Sequence, residues 1–92
     1  MNYYFDRILK ILNKARELAN EGKWEHLESY ADSKLDEIVN LAQKGLSVNF
    51  EENRWEFYTV MIGSHTFESD ISGKKFKISL NLEGDSPIVS LA

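Results

Sequence analysis

Two histidines, His26 and His65, supply the residue type most often used as a general acid or base. His65 lies in GSHTF beside Ser64 and Thr66, a set that on another scaffold would suggest a nucleophile and its base. Neighbouring residues of a strand point to opposite faces, so Ser64 and His65 are not expected to meet. Gly63 before them reads as a bulge or the end of the strand. Metal chemistry has no firmer footing. No second histidine or cysteine stands at ligand spacing from His26, and DSKLDEI (Asp32 to Ile38) starts like a calcium loop without its central glycine. GKK at Gly73 has no upstream glycine at phosphate-loop spacing and no serine or threonine after it. The expectation is a non-enzymatic protein that needs no cofactor and no metal.

What the spacing does offer is a line of charge. In EHLESYADSKLDE the carboxylates Glu25, Glu28, Asp32 and Asp36 are separated by three, four and four residues. On a helix they fall within an arc of about 80° and follow one another by roughly 4.5 to 6 Å, with Val39 ending the run. Like charges at this spacing cost an isolated helix roughly 0.2–0.5 kcal/mol per pair. Lys34, the one base within the run, points elsewhere on the wheel. A solvated helix face would account for the line, since Glu25 and Glu28 also favour a helix N-terminus. The functional reading is a surface that meets a basic groove, its carboxylates standing where phosphates would. Glu51, Glu52 and Glu56 would extend that surface if their turn lies on the same side.

The elements that must carry these residues follow from periodicity. Phe5, Ile8, Leu9, Ile11, Leu12, Ala15, Leu18 and Ala19 recur at helical spacing and predict a helix over about 3–20, with Asn2 as N-cap and Gly22 as its left-handed stop. A second helix is predicted over about 23–44, with Trp24, Leu27, Ala31, Leu35, Ile38, Leu41 and Ala42 on its core face and Gly45 just past its end. The short NEGK link makes the pair an antiparallel hairpin. From Leu46 the period changes to two, and a sheet is expected over about 46–91. Its segments are LSVNF, then WEFYTVMIGS after an EENR turn, then KFKISLNLE after an ISGK hairpin turn. A short edge strand, IVSL, follows Pro87. The fold class expected is α+β, with an N-terminal helical hairpin packed on a three- to four-stranded antiparallel meander as one domain. Within WEFYTVMI, Tyr58, Val60 and Ile62 would then form an apolar ridge on the bare sheet face, a candidate homodimer contact.

Composition narrows the partner. The chain has 92 residues, no cysteine and a formal net charge of −4, which disfavours direct contact with nucleic acid and fits a reducing compartment. No apolar run approaches the roughly 20 residues of a membrane span, and the N-terminus lacks a signal-peptide pattern, so a soluble cytoplasmic protein is expected. From Trp24 to Gln43 five acids face Lys34 alone, whereas from Asn2 to Asn20 the bases Arg7, Lys10, Lys14 and Arg16 outnumber Asp6 and Glu17. The partner expected is a basic protein surface.

In size, lack of cysteine, acidity and helices-before-sheet order, with the Glu25/Glu28/Asp32/Asp36 line, the chain resembles the small phage-encoded inhibitors of host defence enzymes, DNA-mimic anti-restriction proteins among them. That resemblance implies competitive occupation of the DNA-binding site of a restriction nuclease or DNA-binding protein, often by a homodimer. A toxin–immunity protein blocking a basic nuclease cleft would use the same physics. EGKWEHLESY is similar to the helix-turn-Trp start of small secretion or flagellar-type chaperones, which bind through apolar helix grooves instead.

Overall fold

The computed structural model describes residues 2–92 and has an α+β architecture, a helical hairpin packed on a three-stranded antiparallel sheet. Helix α1 spans Tyr3–Asn20, and the Asn2 side chain caps it by accepting from the Tyr4 and Phe5 amides at 2.8 and 3.3 Å. Gly22, at φ 71°, turns the chain into α2, Trp24–Leu46. Ile8, Leu12 and Ala15 of α1 and Leu27, Ala31, Ile38, Val39 and Ala42 of α2 are fully buried between the two helices and the layer beneath. Trp24, expected on the core face, is half-exposed at the mouth of the helix.

Three expectations about the connection to the sheet are corrected. Gly45 is not the stop of α2. It lies inside the helix, where an added Cβ would come within 3.2 Å of the Tyr4 Cβ, and Ser47 takes the left-handed cap at φ 56°. LSVNF is not a strand: Leu46 ends α2, and Val48 to Phe50 form a connection tied to α2 by Gln43. The Gln43 carbonyl accepts from Val48, and its side-chain Oε1 accepts from the Phe50 amide at 2.7 Å.

The third correction is the largest. WEFYTVMIGS is not a strand either. After a 3₁₀ turn at Glu51–Asn53, residues Arg54–Met61 form a helix, α3. Phe57, Val60 and Met61, at helical spacing, are fully buried, and the Thr59 hydroxyl donates back to the Glu56 carbonyl. Aromatic and β-branched residues favour strands in isolation, but burial of this stripe against α2 and the sheet outweighs that preference. The ridge assigned to Tyr58, Val60 and Ile62 disappears with the strand. On a helix these residues are about 200° apart in turn, Val60 is buried, and Tyr58 and Ile62 are only partly exposed.

The sheet runs β1 (Phe67–Ile71), β2 (Lys74–Ser79), β3 (Ile88–Leu91) in spatial order. Ser72 and Gly73, at φ 52° and 81°, form the two-residue hairpin turn that ISGK announced. Phe67, Ile71, Phe76 and Ile78 face the helices and Leu80 follows them inward, whereas Leu82 is exposed beyond the strand's end. The outer face pairs Glu68 with Lys77 and Asp70 with Lys75 across β1 and β2. β3 starts directly after Pro87, as expected, and pairs with β2. Arg16 of α1 fastens the loop before it, donating to the carbonyls of Asn81 and Gly84.

Gly63 ends α3 at φ 78°, not a strand. A Cβ there would sit 3.0 Å from Leu82 Cδ1 and 3.2 Å from Leu80 Cδ2. Gly63→Ala should cost about 1–2 kcal/mol through the left-handed backbone alone. Urea denaturation should show a lower midpoint at unchanged m-value. A midpoint equal to wild type would mean that the helix stop does not need this conformation.

Candidate functional site

Helix α2 places Glu25, Glu28 and Asp32 on one exposed face, and among the described residues none of the three has an ion-pair or hydrogen-bond partner. The neighbouring charges look elsewhere. Glu37 is held by Arg7 of α1 at 3.2 Å and by Lys34 at 3.5 Å, so Lys34 contributes nothing to the line. Glu21 pairs with Lys23 at 3.4 Å. Glu25 lies in the first turn of α2, where the helix dipole favours it, and no side chain caps that end. Glu28 and Asp32 lie beyond the first turn and have no such compensation.

Asp36, the fourth member, belongs to a different arrangement. Arg54 at the start of α3 reaches back to it and also holds Glu51 at 3.3 Å. The hydrogen bond to Asp36, with Glu51 adding to it, holds the Arg54 guanidinium above its ordinary value. Asp36 therefore ties α3 to α2 through Arg54, and Glu51 holds the same guanidinium from the preceding turn. Glu52 is exposed and Glu56 partly so on the same short segment, and neither is paired among the described residues. The line is thus three free carboxylates running into a clasped fourth.

The clasp lays α3 beside the line, bringing in a feature that strand reasoning missed. Trp55 is the most exposed large apolar side chain among the described residues, at 70%, and its ring stacks on Tyr58 with centroids 5.8 Å apart and planes 25° from parallel. Asp32, Leu35, Arg54, Trp55 and Tyr58 line a shallow cavity of 430 Å³. On a helical wheel Trp55 is opposite the buried stripe of Phe57, Val60 and Met61, so a helical reading of WEFYTVMI would have placed it outward.

Tyr58 reports the field of the line. Its phenol is held above the ordinary value, first by desolvation and then by Asp32 and Glu28. Tyr30, partly buried on α2, is raised in the same way by burial and then by Glu37. A raised value means the folded state holds the phenolic proton more tightly than the unfolded chain does. Its contribution to stability is complete below about pH 10 and is lost as the pH rises through the raised value. Subtracting the phenolate absorbance titration of Tyr58→Phe from that of wild type isolates this group. Its midpoint should stand above 10 and should fall in an Asp32→Asn/Glu28→Gln variant. An unmoved midpoint would show that those carboxylates do not act on the phenol.

His26 and His65 are both exposed, and the Ser64 hydroxyl donates to the Thr59 carbonyl at 3.2 Å. No cluster of three or more histidine and carboxylate side chains that could hold a metal ion occurs among the described residues. No helix among them is long and apolar enough to cross a membrane. What the arrangement can do is electrostatic and surface-borne, a negative helix face beside an exposed aromatic pair. Comparison with protein families, with curated proteins and with solved structures finds no match for this chain.

Proposed function

We propose that this protein is a non-enzymatic inhibitor that occupies the basic, nucleic-acid-binding surface of a host enzyme or DNA-binding protein, its α2 carboxylates taking the place of phosphates. One observation carries the reading: Glu25, Glu28 and Asp32 stand exposed on one helix face, unpaired among the described residues, while the bases close by are engaged with Glu37, Asp36 and Glu51. Leaving like charges aligned and unpaired costs a helix stability. A cationic surface offsets that cost only when it is bound. The resemblance to DNA-mimic anti-restriction proteins supports the same reading. Asp36 and Glu51 leave the contact set because Arg54 already holds them, and Glu52 and Glu56 remain at its margin.

The experiment is capture of DNA-binding proteins and nucleases from a bacterial lysate, followed by elution with duplex DNA. Captured partners should be released both by DNA and by raised salt. Partners that stay bound when DNA is in excess would sink the mimic reading. A nuclease captured from a toxin system rather than a defence system would identify an immunity protein using the same face.

A further inference from the structure

We infer that the Trp55–Tyr58 pair, with Asp32 and Glu28 beside it, is the seat of an arginine side chain presented by the basic protein partner. The inference deepens the reading of the α2 face as a contact for a basic protein and rests on it. Trp55 is 70% exposed although α3 buries Phe57, Val60 and Met61 completely, so the helix spends its largest ring on solvent. That ring is already ordered by stacking on Tyr58 at 5.8 Å. A pre-ordered aromatic surface loses little conformational freedom on binding, and Trp, Tyr and Arg are the residue types that concentrate energy in protein contacts.

Charge complementarity selects the occupant. The shelf is edged by Asp32 in the same cavity, and Glu28 stands one helical turn before Asp32 on the same exposed face of α2. A nucleobase would stack equally well, but its phosphates would meet those carboxylates. An apolar side chain would fill the shelf and leave the carboxylates facing nothing. A guanidinium does both tasks, because its plane stacks on an indole while its edge donates to a carboxylate. Lysine can meet the charge but has no plane to stack. The cation native to this cavity, Arg54, does not compete, since Asp36 and Glu51 hold it.

The test uses fluorescein-labelled oligo-arginine and oligo-lysine peptides of equal length and a labelled single-stranded oligonucleotide, with anisotropy as the readout. The intact protein should bind both peptides in a salt-dependent manner, the arginine peptide about two- to five-fold more tightly. Trp55→Ala should abolish that preference by lowering the arginine peptide's affinity more than the lysine peptide's. Circular dichroism should confirm an intact fold, as expected for an exposed ring. Trp55→Tyr should keep part of the preference. Equal affinity for the two peptides, or a preference that survives Trp55→Ala, overturns the arginine seat and leaves the acidic contact standing. Failure of both peptides to bind in a salt-dependent manner overturns the seat and the acidic contact together. An oligonucleotide binding more tightly than either peptide overturns the seat in favour of base stacking.

Discussion

Phe50→Ala should cost about 3–5 kcal/mol, the usual range for removing a buried phenylalanine ring. A domain of this length is expected to be stable by about 5–14 kcal/mol, so the loss would be a large fraction of the whole. The melting temperature should fall by about 4–8 °C for each kcal/mol. The reason lies in where Phe50 stands. It is 2% exposed on a connection with no regular secondary structure, and its ring meets Phe57 of α3 at 5.4 Å, Phe67 of β1 at 6.1 Å and Phe76 of β2 at 5.9 Å. Phe76 in turn meets Phe5 of α1 at 6.0 Å. One ring therefore joins the sheet to α3, and through Phe76 to the first helix. Its amide is tied to Gln43 of α2 as well. Calorimetry or urea unfolding would measure the loss directly. A cost below about 1 kcal/mol would mean that the core closes without this ring. Trp55→Ala supplies the contrast, because surface substitutions usually change stability by no more than about 0.5 kcal/mol.

Phe50 also shows why some of the fold was legible in the sequence and some was not. The two long helices follow from apolar spacing, and their turn from Gly22. The β1–β2 hairpin follows from Ser72-Gly73, since two consecutive positive φ angles require residues that tolerate them. These are local signals. LSVNF alternates like a strand, but its alternation is an accident of a helix end, Leu46, meeting a buried anchor, Phe50. The hydrogen bond that fixes it comes from a side chain seven residues earlier. In WEFYTVMI the failure to alternate was itself the helical signal, because Phe57, Val60 and Met61 satisfy a period of 3.6 and no period of two.

The candidate site divides in the same way. The line of Glu25, Glu28 and Asp32 is a matter of spacing along one helix, so it was readable. The clasp of Asp36 by Arg54 joins residues 18 apart across two elements, and no spacing rule reaches it. Without α3 as a helix, Glu51, Glu52 and Glu56 read as a loose extension of the line, and Tyr58 as part of an apolar ridge on a sheet. Packing reassigns them, with Glu51 a strut, Trp55 an exposed ring and Tyr58 its support. Phe57 holds α3 down while Arg54 fixes its angle against α2, so the aromatic pair and the carboxylates owe their adjacency to the Phe50 cluster.

Reversing the free line, Glu25→Lys/Glu28→Lys/Asp32→Lys, should weaken binding to a captured nuclease or DNA-binding protein by about 100-fold at low salt. Each reversal removes an attraction and adds a repulsion, worth on the order of 1 kcal/mol apiece at a wet interface, and about 2.7 kcal/mol in total is a factor of 100. The contrast should shrink at about 1 M salt, where the screening length is about 3 Å. Net charge alone predicts no dependence on position, since each reversal anywhere adds two units to a formal net charge of −4. A matched variant tests this, with Glu17→Lys on α1 and Glu83→Lys and Asp85→Lys in the loop before β3, all three exposed and without an ion-pair partner among the described residues. The matched variant should lose less than about ten-fold through general steering. Equal losses in the two variants would mean that the partner senses overall charge and that the α2 line is an ordinary solvated face. A loss confined to the α2 variant would tie binding to three adjacent carboxylates, which is what replacing a run of phosphates in a basic groove requires. Asp36 is left out of the set because its removal would also free Arg54 and loosen α3, mixing a change of fold with a change of contact.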